Sequence, residues 1–294
     1  IAEFDPELVV VLSADHLYTI NLLDVLDTHT AAGADLTMVT TRVAPGDASR
    51  YGVVRVDDDG AVTEYTYKPD DPASDLICAE IFVFNTAALI AHLERAHADV
   101  VSAGGAEDLG DIGDNVLPAM VGAGHAREWR HDGYWRDVGT VASYWAGHMD
   151  LLGEEPEYRL DVPGWSLRTA SVYSGPARVG RTAEVSDSIL GHGSVVHGVV
   201  DHSVVGPGAV VEEGARVRDS VILPGAVVRA GARVESAVVD AGVEVPVDAS
   251  IGERQAGATE ESVRVALLGT APDEPRGPGF TLAAGELDPP DDDA

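Results

Sequence analysis

The sequence predicts an α/β protein: an open sheet with helices on both faces, followed by a parallel β-helix of hexapeptide repeats. Two patterns carry this expectation. Residues 1–165 alternate short β-branched runs with amphipathic stretches, the order that builds a sheet covered by helices. Residues 172–252 abandon that alternation and repeat a Gly-Ala-x-Val unit instead, which marks a β-helix. With 294 residues, 45% of them hydrophobic, the chain can bury the cores of two domains.

The elements of the first region follow in order. Leu8-Val-Val-Val-Leu12 reads as a short buried parallel strand, with Ser13-Ala-Asp15-His16 at its carboxyl end. Residues 21–32 read as a helix with Leu22, Leu23 and Leu26 on one side, and Leu36–Thr40 as the next strand. Val53–Val56, Asp57-Asp-Asp-Gly60 and Ala61–Tyr65 predict a hairpin with an Asp-Gly turn. Ile81–Phe84 adds a strand and Thr86–His97 a helix. Ligands of open α/β sheets bind beyond the carboxyl ends of strands, where Asp15 stands.

In the second region Gly208-Ala-Val-Val and Gly214-Ala-Arg-Val start six residues apart, as do Gly225-Ala-Val-Val and Gly231-Ala-Arg-Val. The two pairs are offset by 17 residues, and so are Asp201-His-Ser-Val-Val205, Arg218-Asp-Ser-Val-Ile222 and Glu235-Ser-Ala-Val-Val239. Three short strands then make one triangular coil, with small residues at the corners and valines stacked inside. Val263–Leu268 offers a last strand, and residues 269–294, rich in Pro, Gly and Asp, predict a disordered acidic tail.

Composition narrows the function. Nineteen basic against 50 acidic residues give a net charge of −31, a surface that repels phosphate backbones and argues against nucleic acid. No apolar run approaches the roughly 20 residues of a membrane span. One cysteine, Cys78, fits a reducing, cytoplasmic compartment. Lys68 is the sole lysine beside 18 arginines. The chain opens at Ile1 without a signal-peptide pattern, which predicts a cut end or mid-gene start with residues missing upstream.

Ser13-Ala-Asp15-His16-Leu-Tyr18, Arg50-Tyr-Gly52-Val, Lys68-Pro69, Asp111-Ile-Gly-Asp-Asn-Val-Leu-Pro118 and Tyr134-Trp-Arg-Asp137-Val-Gly-Thr140 occur in this order, ahead of the hexapeptide repeats. Together they resemble the bacterial glucose-1-phosphate adenylyltransferases (ADP-glucose pyrophosphorylases) over about residues 5–268. The resemblance implies a Rossmann-like nucleotidyltransferase sheet, here incomplete at its N-terminus, over residues 1–165, and a left-handed β-helix over residues 172–268. It implies ADP-glucose and pyrophosphate as products, for glycogen or α-glucan synthesis. ATP and glucose 1-phosphate would be substrates and Mg²⁺ the metal. It places the metal ligands at Asp15 and Asp137, catalytic roles at Asp15 and Lys68, and substrate contacts at Gly52, Lys68, Cys78 and Trp135. It further implies a homo-oligomer, tetrameric in the family, and an anionic allosteric effector, for which Arg216, Arg218, Arg229 and Arg233 are candidates.

The chemistry supports those residue types. A sugar-phosphate oxygen attacks the α-phosphorus of a nucleoside triphosphate and pyrophosphate leaves, so catalysis is mostly positioning and charge neutralisation. Mg²⁺ held by one or two carboxylates is the usual device, and a lysine ammonium is a compact charge for phosphate. Each residue also has a plain structural reading. Asp15 would cap a helix, Asp137 would sit in a turn near Arg136, and Lys68 and the arginines would be solvated. Gly52 would make a turn, and Trp135 and His16 would pack.

Departures from the family set the competing readings. Ala14 stands where the family favours Gly, Tyr67 where it has Glu, Cys78 where it has a sugar-contacting Ser, Glu80 where it has Gly, and Asp114 where it often has Lys. The family's Gly-rich nucleotide loop has no counterpart, since neither Gly104-Gly105 nor Gly191-His-Gly193 follows a strand and opens a helix. The expectation is that this chain alone binds ATP poorly and does not turn over. The alternative is a non-catalytic regulatory or assembly subunit of the same family. A third reading, an acyltransferase, would need a base among His192, His197 and His202.

Overall fold

The computed structural model describes residues 4–102, 110–162, 174–253 and 263–269. The expected boundaries at 165 and 172, the acidic tail beyond residue 269 and Gly104-Gly105 lie outside the described residues. The chain divides into two compact units, residues 1–135 and 136–294.

The first unit contains β1 (Leu8–Leu12), β2 (His16–Tyr18), α1 (Leu22–Ala32), β3 (Leu36–Arg42), β4 (Gly52–Val56), β5 (Val62–Tyr67), β6 (Leu76–Asn85), α2 (Thr86–Ser102), α3 (Ile112–Gly122) and β7 (Ala126–Arg130). Asn21 caps α1 by accepting from Leu23 N at 3.2 Å, and Gly33 ends it in the left-handed conformation at φ 57°. Asp57 shapes the β4–β5 turn, where its carboxylate accepts from Asp59 N and Ala61 N.

The main sheet runs β5-β4-β6-β3-β7, with β1 also on β6. β3 and β7 are parallel and the other pairs antiparallel. Alternation along β3 and β6 makes the two-sided core. Leu36, Met38, Phe82 and Phe84 pack with Leu89 of α2 and with Val116, Leu117 and Met120 of α3. Val39, Ala79, Ile81 and Val83 pack with Val25 of α1. Helices therefore cover both faces, as the sequence predicts. β1 departs from expectation: it runs antiparallel to β6, and Val10 and Leu12 stay exposed. None of the five is fully buried, so an apolar run records neither strand direction nor complete burial.

β6 has two partners along one edge. β4 pairs at Val53–Ile77, and β1 pairs from Leu12–Ile81 to Leu8–Asn85. Between them, Cys78–Glu80 meets neither strand ladder. On the opposite edge the register with β3 slips, Met38 facing Phe82 and Thr40 facing Cys78. Two extra residues of β6 thus bulge outward here, and Glu80 takes φ 53°.

The second unit begins inside β8 (Trp135–Asp137) and continues through α4 (Val141–Met149), whose first turn carries a capping box between Thr140 and Ser143. Three five-stranded parallel sheets then form a triangular β-helix. Val210 pairs with Val227 and Val227 with Glu244, a 17-residue coil, while the Val195–Val210 step is 15 residues. Ala266–Leu268 adds the last strand to one face. Val200, Val217 and Val234 stack inside with Val211, Val228 and Val245. Trp145 of α4 donates Nε1–H to Asp219 O at 2.7 Å.

A serine ladder runs up one corner. Ser203 N donates to Ser188 Oγ, Ser220 N to Ser203 Oγ and Ala237 N to Ser220 Oγ, each at 3.1 Å. Each serine hydroxyl in turn donates to the carbonyl two residues earlier. The corner residues preceding them, Asp187, His202, Asp219 and Ser236, all have positive φ. His202 is one of these corners, with Nδ1 2.9 Å from Asp219 Oδ1, and His192 and His197 are exposed. Arg218 bonds Asp201, and Arg229 bridges Glu212 and Glu244. Arg216 and Arg233 are exposed register neighbours.

Candidate functional site

Chain segments from β1 and β4 converge on the interval of β6 that meets neither of their ladders. Ser13–His16 leaves β1 there, and Ser13 N donates to Glu80 O at 3.0 Å. Tyr51 enters β4 there, and its carbonyl accepts from Lys68 N, at the end of β5, at 3.1 Å. Residues scattered from 13 to 111 in sequence thereby meet on one surface of the first unit.

Asp15 is the exposed carboxylate of this surface, its side chain 57% accessible. It caps no helix, since Asn21 caps α1. The Ser13 hydroxyl donates to Asp15 Oδ1 at 2.6 Å and holds the carboxyl below its ordinary range. His16 beside it is buried, 4% accessible. Its Nδ1 lies 3.2 Å from Ala79 O, and its Nε2 faces Asp15 Oδ1 at 3.8 Å and Glu80 Oε2 at 3.9 Å. One imidazole therefore stands between two carboxylates.

Lys68 follows in the left-handed conformation, φ 41°. Its ammonium lies 4.8 Å from the Tyr67 ring centroid. The Tyr67 hydroxyl holds the lysine pKa above the usual range, and the charges of Glu80 and Asp111 add to this. Tyr67 Oη donates to Asp111 Oδ2 at 2.8 Å, and Asp111 Oδ1 accepts from Gly113 N at 2.8 Å as the cap of α3. Two glycines make room for the tyrosines of β5. A Cβ on Gly52 would stand 2.6 Å from Tyr65 Cε2, and one on Gly113 would stand 2.7 Å from Tyr67 Cδ2. Gly52 thus has a packing reason to be glycine.

Cys78 lies in the core at 1% accessibility, among Met38, Phe82 and Leu117. Burial pushes its thiol up to about 12. The thiol lies against the backbone of Glu80 and Ile81 and within electrostatic reach of Tyr65. Trp135 packs edge-on to His16 at 5.0 Å and to Tyr51 at 5.4 Å. Its buried Nε1–H meets no acceptor among the described residues. Asp137 belongs to the second unit. Its Oδ1 accepts from Gly139 N at 2.7 Å in the turn before α4, and Arg136 Nε donates to Asp150 at 2.7 Å.

Of the residues the sequence singles out, the structure brings Asp15, Gly52, Lys68 and Trp135 to one region of the first unit, whereas Cys78 lies in the core and Asp137 in the second unit. Tyr67 and Asp111 as a support for Lys68, and His16 as a bridge between carboxylates, are legible only in the fold. The signal available was the Tyr65-x-Tyr67 alternation on a strand followed by an Asp-x-Gly helix start.

Among the described residues no group of three or more His, Cys, Asp or Glu side chains could hold a metal ion. That does not disfavour Mg²⁺, which keeps waters and takes one or two carboxylates besides substrate phosphates. The exposed, ionised Asp15 offers the hard oxygen this ion requires.

Residues 1–154 match the family model described as Nucleotidyl transferase, more than half of the chain. The chain belongs to that family. Residues 174–266 match a second model, GlmU-like, C-terminal hexapeptide. The chain is 35% identical over 219 residues to a glucose-1-phosphate adenylyltransferase of Acetivibrio thermocellus, covering 74% of this chain and 50% of that protein. It is 35% identical over 221 residues to the Bacillus mycoides enzyme of the same name, covering 75% and 57%. With the Ruminiclostridium cellulolyticum enzyme of that name it shares 33% identity over 214 residues, covering 72% and 49%. The chain spans about half the length of the curated relatives it matches. Among the described residues no helix is long and apolar enough to cross a membrane.

Proposed function

We propose that this chain carries the sugar-phosphate side of a glucose-1-phosphate adenylyltransferase site. The observation that supports this reading is the convergence of Lys68 and Asp15 on the interval of β6 between the β1 and β4 ladders, the lysine backed by Tyr67 and Asp111. The reaction joins a phosphate oxygen of glucose 1-phosphate to the α-phosphorus of ATP. The bond from that phosphorus to the β-phosphate bridging oxygen breaks, leaving ADP-glucose and pyrophosphate.

In this scheme Lys68 neutralises the sugar phosphate and holds its attacking oxygen in place. Strand β5, the Tyr51 carbonyl and the Tyr67 ring limit where the ammonium can go, so less freedom is lost on binding. The Ser13 hydroxyl keeps Asp15 ionised. On the first unit Asp15 would offer Mg²⁺ a carboxylate oxygen, and Asp137 is a candidate ligand by the family resemblance alone. The ion, when bound, would offset the charge that gathers on the phosphates. Trp135 would present its indole N–H as a donor, and Gly52 would contribute backbone. Cys78 acts through packing in this scheme, beneath the surface that holds the sugar. The homo-oligomer and the anionic effector remain part of the proposal, with exposed Arg216 and Arg233 as the effector's candidates.

A second reading, a subunit that binds sugar phosphate without turnover, draws support from Glu80, which sets a negative charge beside Lys68. One experiment separates the two. Glucose 1-phosphate binding is measured by calorimetry, and pyrophosphate release is measured with ATP and Mg²⁺. Binding that weakens at least tenfold in Lys68→Gln supports the sugar-phosphate site. Pyrophosphate release by the full-length protein then marks the enzyme, and binding without release by the full-length protein marks the subunit. Equal binding by parent and variant rejects both.

A further inference from the structure

We propose that Glu80 determines specificity at the sugar end of this site, its carboxylate accepting hydrogen bonds from sugar hydroxyls and turning the phosphate toward Lys68. The proposal rests on the sugar-phosphate reading above. Two independent observations carry it.

The first is the backbone. Glu80 has φ 53° in the middle of a strand, a conformation that glycine adopts freely and a residue with a Cβ resists. A side chain retained against that resistance is a pointer to function. The bulge of β6 also re-aims residue 80 out of the ladder, toward the surface where the Ser13–His16 and Tyr51–Gly52 segments meet.

The second is the carboxylate itself. It is 36% accessible, and the His16 nitrogen it faces is 3.9 Å away, too far for a hydrogen bond. Among the described residues no donor lies within hydrogen-bond distance of it, which leaves its acceptor sites open to a ligand. Its charge reaches Lys68, on the same surface. A ligand with an anionic end and a hydroxyl-bearing end is therefore sorted by sign. The ammonium attracts the phosphate, and Glu80 repels it while accepting from the hydroxyls. Attraction at one end combined with repulsion at the other makes a selective site. A sugar 1-phosphate has these two ends, and inorganic phosphate has only one.

The test uses the full chain, with glucose 1-phosphate and inorganic phosphate as probes in calorimetry and with thermal denaturation alongside. Glu80→Gly removes both strain and carboxylate. Its expected result is about tenfold or more weaker binding of glucose 1-phosphate, unchanged or tighter binding of inorganic phosphate, and a higher Tm. Glu80→Gln keeps the backbone strain and removes the charge. It should weaken glucose 1-phosphate in the same sense without raising Tm. A merely structural Glu80 would move both probes together. Equal glucose 1-phosphate affinity in parent and Glu80→Gly, or an equal loss for both probes, overturns the role of Glu80 alone. Absence of glucose 1-phosphate binding by the unaltered chain overturns the sugar-phosphate reading, and this proposal with it.

Discussion

Tyr67 Oη donates to Asp111 Oδ2 at 2.8 Å, while the other oxygen of Asp111 caps helix α3. One carboxylate thereby ties the strand that presents Lys68 to the helix beside it. Tyr67→Phe keeps the ring under the ammonium and removes the tie. Glucose 1-phosphate affinity should fall about three- to tenfold, less than for Lys68→Gln, because Tyr67 acts on the phosphate only through Lys68 and only part of a charge-assisted hydrogen bond of about 1.5–3 kcal/mol is felt there. The Asp111 cap survives, so the Tm should hold within about 2 °C. Calorimetry and thermal denaturation on one preparation check both. An affinity equal to the parent's would show that Tyr67 does not position Lys68.

Gly52 tests the packing beneath the same surface. A Cβ there would stand 2.5 Å from Tyr65 Oη and 2.6 Å from Cε2. The tyrosine is buried and has little room to retreat, since Gly113 closes on its hydroxyl from α3. Gly52→Ala should therefore cost about 1–3 kcal/mol by overpacking. A Cβ on Gly46 would meet nothing within 4 Å, and Gly46→Ala should be neutral within about 0.5 kcal/mol. Urea midpoints of the two variants give the comparison, and equal midpoints would refute the steric account.

The serine ladder makes a prediction for the β-helix. Ser220 is fully buried, donates to Arg218 O at 2.6 Å and accepts from Ala237 N at 3.1 Å. Ser220→Ala leaves the buried Ala237 N–H without its acceptor, while Arg218 O keeps its bond from Ser236 N. The expected cost is about 1–3 kcal/mol. Position 237, where alanine ends the ladder, has no such demand, and Ala237→Ser should bring no comparable gain. Denaturation monitored by far-UV circular dichroism reads both, and a neutral Ser220→Ala would show that the ladder adds no stability.

Much of this architecture was legible because it is periodic. The 17-residue echo of Asp201-His-Ser, Arg218-Asp-Ser and Glu235-Ser-Ala specifies the coil, and the structure stacks those residues in register. Local chemistry was equally readable at the Asp57-Asp-Asp-Gly60 hairpin. Strand direction was not. Leu8–Leu12 is apolar throughout, but its antiparallel partner lies more than 60 residues on. Lys68 stood out because it is the sole lysine. The tyrosine–aspartate support behind it was invisible, because Tyr67 and Asp111 are 44 residues apart and meet only when α3 packs on β5. Glu80 shows in sequence as an intruding charge. That it also sits in a left-handed bulge beside His16 needs coordinates.

Buried histidines give the fold a pH dependence whose sign can be worked out. His29 of α1 is 2% accessible, with Nδ1 2.8 Å from Thr37 Oγ1. Burial lowers its pKa, and Asp35 only partly opposes this. His148 of α4 is lowered by burial too, against the pull of the Tyr144 carbonyl. In the unfolded chain both titrate near the ordinary value of about 6.5. Above that pH neither state holds the extra proton, and the stabilising contribution is fully present. As pH falls below about 6.5 the unfolded chain takes up protons before the folded one, so stability declines until the depressed folded values are passed. Urea midpoints should drop between about pH 6.5 and pH 5.5, ahead of the carboxylate range. His29→Gln, which keeps a polar partner for Thr37 without a titrating ring, should flatten part of that slope while lowering the midpoint at pH 7.5. An unchanged slope in the variant would remove His29 as a source of the pH dependence.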